Sequence, residues 1–265
     1  MIIDRLINIV KNIEHSYNND VIYFDISYFQ KEETLHFIQD NMEEALINNQ
    51  FIVCYQPKHD TKSGELAGAE ALVRWIHPIR GFISPGDFVP VFEQNGFITK
   101  VDLYILDKTC KFIAERLKDN KKIVPISINL SRRDLASFEN TGKIDAIVNK
   151  YRLDKKYIHF EITESLCGDG NDVINKTKMI KEAGYQIEID DFGSGYSSLG
   201  LITDIPMDYL KLDISFIKKV AENRDFAKTI INLARVLDAK TVAEGVEDEH
   251  EVNVCKELGC DYIQG

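Results

Sequence analysis

The sequence predicts an α/β fold, a TIM-like (β/α)8 barrel with an antiparallel first strand. Three observations carry this. Short apolar strand segments alternate with amphipathic helical segments, the pattern of a parallel sheet covered by helices, and eight such strands are enough to close. The first two strands are joined through the turn Thr61-Lys62-Ser63-Gly64, far too short for a parallel crossover, so they lie antiparallel. Finally, Glu70, Asn129, Glu161, Asp190, Lys211, Glu244 and Gln264 each come from a different strand, most toward its C-terminal end. A barrel brings those ends to one rim, where sites are built. One polar group per strand is hard to explain as packing.

The elements follow in order. Residues 1–34 read as an N-terminal arm or linker, with a helical stripe at Ile2, Ile3, Leu6, Ile7, Val10 and Ile13 and a lone strand at Val21–Phe24. The main domain is expected over 35–265 and opens with a helix, Glu33–Asn48, whose Leu35, Ile38, Met42 and Leu46 share a face. The first strands are Phe51–Pro57 and Glu70–Trp75. The stretch His77–Pro90, with three prolines and two glycines, reads as an ordered but irregular loop. Helices at Asp102–Leu117, Ile144–Tyr151, Asn171–Ala183, Phe226–Leu237 and Glu251–Leu258 then alternate with strands at Ile123–Asn129, Tyr157–Glu161, Gln186–Asp190, Tyr209–Asp213, Thr241–Glu247 and Tyr262–Gly265. Gly184 and Gly259 stop two of the helices.

Composition narrows the class. A chain of 265 residues, 44% hydrophobic and 28% charged, is ordinary for a soluble globular protein. Its net charge of −11 argues against binding a nucleic-acid polymer, which needs a basic stripe. The five cysteines, Cys54, Cys110, Cys167, Cys255 and Cys260, form no CxxC and read as reduced, in a cytoplasmic protein. No run approaches the roughly 18 apolar residues of a membrane span, so this segment is expected to make no membrane contact, although a parent protein could be tethered.

The chain is organised around Gln186–Leu199. A period-two strand runs into Asp190-Asp191 and then a loop spaced by Gly193 and Gly195. Consecutive strand residues face opposite ways, so both aspartates reach one site only if the strand ends and turns there. An isolated Asp-Asp is ordinarily just an acidic turn. Here Glu70, Asn129 and Glu161 join it, an oxygen-only set suited to Mg2+ or Mn2+ and not to structural zinc. Two cations about 3.5–4 Å apart, bridged by Asp190, would activate water against a phosphodiester. Lys211 should keep its proton and position or relay one. The plainer alternative is an ion pair with Asp213, two residues on and on the same strand face, or with a neighbouring carboxylate.

These residues fall within longer motifs: Glu70-Ala71-Leu72 extended to Arg74, Asn129-Leu130-Ser131, Glu161-Ile162-Thr163-Glu164, Asp190 to Leu199 (DDFGSGYSSL), Leu210-Lys211-Leu212-Asp213 and Ala243-Glu244-Gly245-Val246-Glu247. In their order and spacing they resemble the EAL domain family, which hydrolyses the bacterial second messenger cyclic di-GMP to linear pGpG. The resemblance implies metal ligands at Glu70, Asn129, Glu161, Asp190 and Asp191, two cations per site, and a catalytic lysine at Lys211. Glu244 and Glu247 match acids that hold metal-bound water and ligand. Gln56, Leu72, Arg74 and Gln264 match ligand-contacting positions, with Asp213 counted beside them, and Arg74 offers a planar donor fork to phosphate. Glu164 matches the residue that anchors the glycine loop, and a homodimer is implied. The rival reading is a silent EAL domain that senses cyclic di-GMP without cleaving it, but such members lose ligands or the lysine, and this chain keeps them. Residues before 35 resemble the tail of a GGDEF-like domain, and the family's last outer helix would follow Gly265. Glu188 stands two before Asp190, where a small or apolar residue is expected. It is either a paired acid or a disturbance of the metal site.

Overall fold

A computed structural model of the chain describes residues 26–136, 138–167, 171–192, 204–213 and 224–265. The helical stripe and lone strand expected before residue 25, and the glycine loop 193–199, lie outside them. Helix α1 (Ile26–Ile47) leads into strand β1 (Phe51–Asp60), which pairs antiparallel with β2 (Leu66–His77). The hairpin strand β3 (Gly81–Ile83) and helices α2 (Pro85–Asn95) and α3 (Ile98–Lys118) follow. The repeating part comprises β4 (Ile126–Asn129), α4 (Arg132–Ala136), α5 (Phe138–Lys150), β5 (Ile158–Thr163), α6 (Glu164–Cys167), α7 (Asn171–Glu182), β6 (Gln186–Phe192) and β7 (Tyr209–Asp213). It ends with α8 (Arg224–Val236), β8 (Lys240–Glu244), α9 (Glu249–Leu258) and β9 (Tyr262–Gln264).

Around the barrel the strands run β1-β9-β8-β7-β6-β5-β4-β2, and the β1–β2 ladder closes the ring. Strand β1 is antiparallel to both neighbours and every other barrel pair is parallel, as the short first turn predicts. Strand β3 adds only to the far end of β2. Alternation then sorts the side chains. Ile126, Ile128, Ile158, Phe160, Ile187, Ile189, Leu210 and Leu212 face outward and are buried under the helices, so the hydrophobic core is a sleeve around the sheet. The lumen is left to polar side chains, among them Lys58, Glu70, Ser127, His159, Glu161, Glu188, Lys211 and Gln264, all buried. Barrels usually fill this space with branched apolar side chains. This one fills it with charge.

The stretch His77–Pro90 departs from the irregular loop expected there. It forms β3 and starts α2, because Ser84 caps the helix by accepting from the Gly86 N–H at 3.3 Å and Pro85 supplies a preset first residue. Pro90 sits inside α2 and forfeits the bond to the Gly86 carbonyl. Burial of Phe88, Val91 and Phe92 offsets that loss. These rings pack with Phe51 and Trp75 at centroid distances of 5.2–6.0 Å and clamp α2 onto the β1–β2 hairpin.

Candidate active site

Lys211, in the middle of β7, is the centre of the site. Its side chain is 1% exposed, and its Nζ lies 2.7 Å from Glu244 Oε1, 2.8 Å from Glu161 Oε2, 3.1 Å from Asp190 Oδ1 and 3.3 Å from Glu70 Oε2. Four strands each send one carboxylate to a single ammonium. Gln264 Nε2 donates to Glu70 Oε2 at 2.6 Å and to Gln56 Oε1 at 3.3 Å, while Asn129 Nδ2 donates to Glu70 Oε1 at 3.1 Å. The seven rim residues singled out by strand position therefore converge, with Gln56 beside them. The lysine's partners are four carboxylates at once, a richer arrangement than a simple pair with Asp213.

Asp190 and Asp191 reach the site through a backbone turn, as expected, but the turn does not end the strand. Strand β6 does not end at them but continues to Phe192. The turn lies inside it: Asp191 has φ 58°, and the register to β7 shifts between Ile189 and Phe192. This bulge swings two consecutive side chains to one side of the sheet. Asp190, Asp191 and Glu244 then bring one oxygen each within 4.8 Å of one another, an acidic cluster able to hold a cation.

Burial and charge set the protonation states. For Lys211, burial favours the neutral amine, but Glu161, Glu70, Asp190 and Glu244 outweigh it and hold the pKa well above the ordinary lysine value. Burial pushes Glu161 up, but Lys211 and Lys58 overcome it and keep its carboxyl well below the usual range. Glu70 is raised, first by burial and then by the charge of Glu161. Glu244 is pushed up to about 8 by burial, with Lys211 opposing and Asp190 adding to the rise. Asp191 is raised by burial and by Asp190.

The remaining expected residues fall around this core. A cleft of about 740 Å3 opens beside Asn129, walled by Leu72, Arg74, Pro85, Asp102 and Arg132. Arg74 is half-buried there and donates through Nη1 to the Val73 carbonyl at 2.8 Å. Asp213 is half-buried and pairs in register with Glu244. Glu247 lies past the end of β8, exposed, in the loop before α9. Glu164 is 3% exposed at the start of α6, and its charge acts on Asp191.

Beneath the rim is a second polar layer that reading by site residues missed. Lys58 Nζ donates to Ser127 Oγ at 2.7 Å, Glu161 Oε1 at 2.8 Å and Glu188 Oε2 at 2.5 Å. Glu188 Oε1 also pairs with His159 Nδ1 at 2.8 Å. Glu188 is thus a paired acid one layer below the acidic cluster. A signal existed: Ser127, His159 and Glu188 each stand two residues before a rim residue, and Lys58 two after Gln56 on the reversed strand. Period two places all four in the lumen.

The model of the EAL domain family matches residues 39–265. The bifunctional diguanylate cyclase/cyclic di-GMP phosphodiesterase MucR of Pseudomonas aeruginosa is 35% identical over 241 residues, covering 88% of this chain and 35% of MucR. The signaling protein YkoW of Bacillus subtilis is 33% identical over 250 residues, covering 92% of this chain and 31% of YkoW. The chain thus spans about a third of the length of these curated relatives. The solved PaMucR phosphodiesterase, in complex with c-di-GMP, superposes with a TM-score of 0.80 at 33% identity, covering 86% of this chain and 94% of that one. With its motifs on one barrel rim and the family match running from 39 to 265, this chain belongs to the EAL domain family.

Proposed function

We propose that this chain is a metal-dependent phosphodiesterase that hydrolyses cyclic di-GMP to linear pGpG. One observation carries the reading: four carboxylates and a protonated lysine meet at the C-terminal rim, beside a cleft walled by Arg74. The similarity to MucR, whose name includes cyclic di-GMP phosphodiesterase, supports the substrate.

The donor set fits Mg2+ or Mn2+, two per site. Glu70, Glu161, Asp190 and Asp191 offer hard oxygens, and Asn129, whose Nδ2 is spent on Glu70, keeps its Oδ1 for a cation. Bound divalent cations would supply Lewis acidity to activate a water and to spread charge from the phosphodiester. The chain's residues do the rest. Arg74 and Leu72 orient the dinucleotide from the cleft wall, and Gln56 and Gln264 from beside Glu70. Lys211 stays charged and faces the phosphate. Glu244, beside Lys211 and free to give up its proton when cations bind, is placed to take a proton from the attacking water and return it to the leaving oxygen. Asp213 and Glu247 belong to the substrate side, and Glu164 anchors the loop after Asp191. A homodimer and a cytoplasmic location belong to the same proposal. Among the described residues no helix is long and apolar enough to cross a membrane. Residues 1–34 would be the arm or upstream tail, and 35–265 the domain.

Chromatography of cyclic di-GMP incubated with the chain tests this directly. Linear pGpG should form with Mg2+ or Mn2+ and stop with EDTA. Asp190→Asn should lower turnover by roughly 100-fold or more, beyond the 10–100-fold typical of residues that only support a ligand. Saturable binding with no product under any metal would overturn the enzymatic reading.

A further inference from the structure

We infer that Lys58 is a positioning residue for the carboxylate of Glu161, held in turn from the far side by Glu188. The inference rests on the proposed metal-dependent reading and deepens it.

The geometry is specific. Lys58 is 5% exposed, and its ammonium has three donors meeting three acceptors on three different strands: Ser127 on β4, Glu161 on β5 and Glu188 on β6. Each acceptor takes one donor, so the group has one orientation. Glu161, fully buried, receives Lys58 and Ser127 on Oε1, at 2.8 and 2.5 Å, and Lys211 on Oε2 at 2.8 Å. Oε1 is committed downward by two donors, which fixes the plane of the carboxylate. Oε2 is the oxygen turned toward Lys211, whose ammonium also meets Asp190 and Glu244.

Glu188 completes the device. It stands beside Glu161 in the β5–β6 ladder, and Lys58 lies between the two acids. His159 takes the other oxygen of Glu188 at 2.8 Å and leans on the Tyr209 ring, 5.1 Å between centroids. Every arm of this network is anchored in the barrel floor. Outer partners that hold a ligand by hydrogen bonds commonly control metal affinity.

A purely structural role for the ion pair predicts something different. Replacing both members of a buried pair by neutral groups is often nearly neutral for stability, whereas removing one leaves an unpaired charge. Lys58→Met should therefore lower the thermal midpoint, and the double variant Lys58→Met, Glu188→Gln should regain most of that loss. Positioning predicts that Mn2+ affinity does not recover. By titration calorimetry both lysine variants should bind Mn2+ about tenfold or more weakly. Glu188→Gln alone keeps the Lys58–Glu161 bond and should stay within about threefold of the wild type. Ser127→Ala removes the other donor on Oε1 without changing charge, and should also weaken Mn2+ if the lysine variants do not fold. Wild-type-like or tighter Mn2+ binding in the double variant, or in Ser127→Ala where the lysine variants fail to fold, overturns the inference. Tighter binding would mean that Lys58 only repels the cation. A wild-type chain that binds no Mn2+ would instead sink the metal reading beneath it, so the two failures are distinct.

Discussion

Lys211 shows how single residues set this site's chemistry. An ammonium 1% exposed would ordinarily shed its proton, yet four carboxylates within 3.3 Å keep it charged. The dependence is mutual. Lys211→Met would leave those acids facing one another, and we expect a stability loss of about 3–5 kcal/mol without metal. Urea unfolding in EDTA measures this, and an unchanged midpoint would contradict the counter-ion role. Glu244 gives a pH prediction. Its folded pKa of about 8 lies above the ordinary carboxyl value of 4.5, so below about 8 the metal-free site holds a proton there. Cation binding favours the deprotonated form. Apparent Mn2+ affinity should therefore rise with pH from 6 to 8 and flatten above, with up to one proton released per site near pH 7. Calorimetry in buffers of different ionisation enthalpy reads that proton. Period-two spacing makes the placement of these residues legible in the sequence, because a strand fixes which face each side chain takes, and the motifs around them supply their roles.

At the scale of elements, local chemistry decided more than the apolar pattern suggests. Helix α2 was hidden because prolines and glycines normally mark loops, yet Ser84 and Pro85 are also start signals and Gly96, at φ 85°, a stop. Strand β6 and the need for a turn at its aspartates were legible, but not that the turn is a bulge inside a continuing strand. No rule of alternation places two adjacent aspartates on one side, and the φ of 58° at Asp191 does it by breaking the alternation. The end of α9 offers a test. Gly259 has φ 87°, its carbonyl accepts from Arg235 Nη2 at 2.7 Å, and an added Cβ would stand 2.8 Å from that same nitrogen. Gly259→Ala should cost about 1–2 kcal/mol through the left-handed backbone alone, and more if Arg235 cannot yield. A melting curve unchanged within error would show that the cap is not strained.

For the whole molecule, what matters is where the core lies. A lumen filled with charge cannot supply much hydrophobic stabilisation, so the sleeve between sheet and helices must. Trp75 is its largest fully buried side chain, among Phe51, Phe88 and Phe92, with its indole N–H on Gln50 Oε1 at 3.0 Å. Trp75→Ala should destabilise the chain by about 3–5 kcal/mol, while turnover per folded molecule changes little. Thermal unfolding with a parallel pGpG assay separates the two. Closure depends on β1, whose Lys58, His59 and Asp60 pair with Gln264, Ile263 and Tyr262, the last residues of the chain in regular structure. Sedimentation of the chain with and without Mn2+ tests the proposed homodimer.

The sequence by itself determined the barrel and the roster of its rim, since both follow from rules that act over a few residues: alternation, turn length and motif spacing. It flagged Glu188 as out of place but could not say what it meets. That was decided only by closure of the ring. The bonds from Lys58 to Glu161 and Glu188 join residues 103 and 130 positions apart. No local preference encodes such pairs. They exist because the lumen is too dry to leave a charge alone, so a buried acid there requires a cation from another strand.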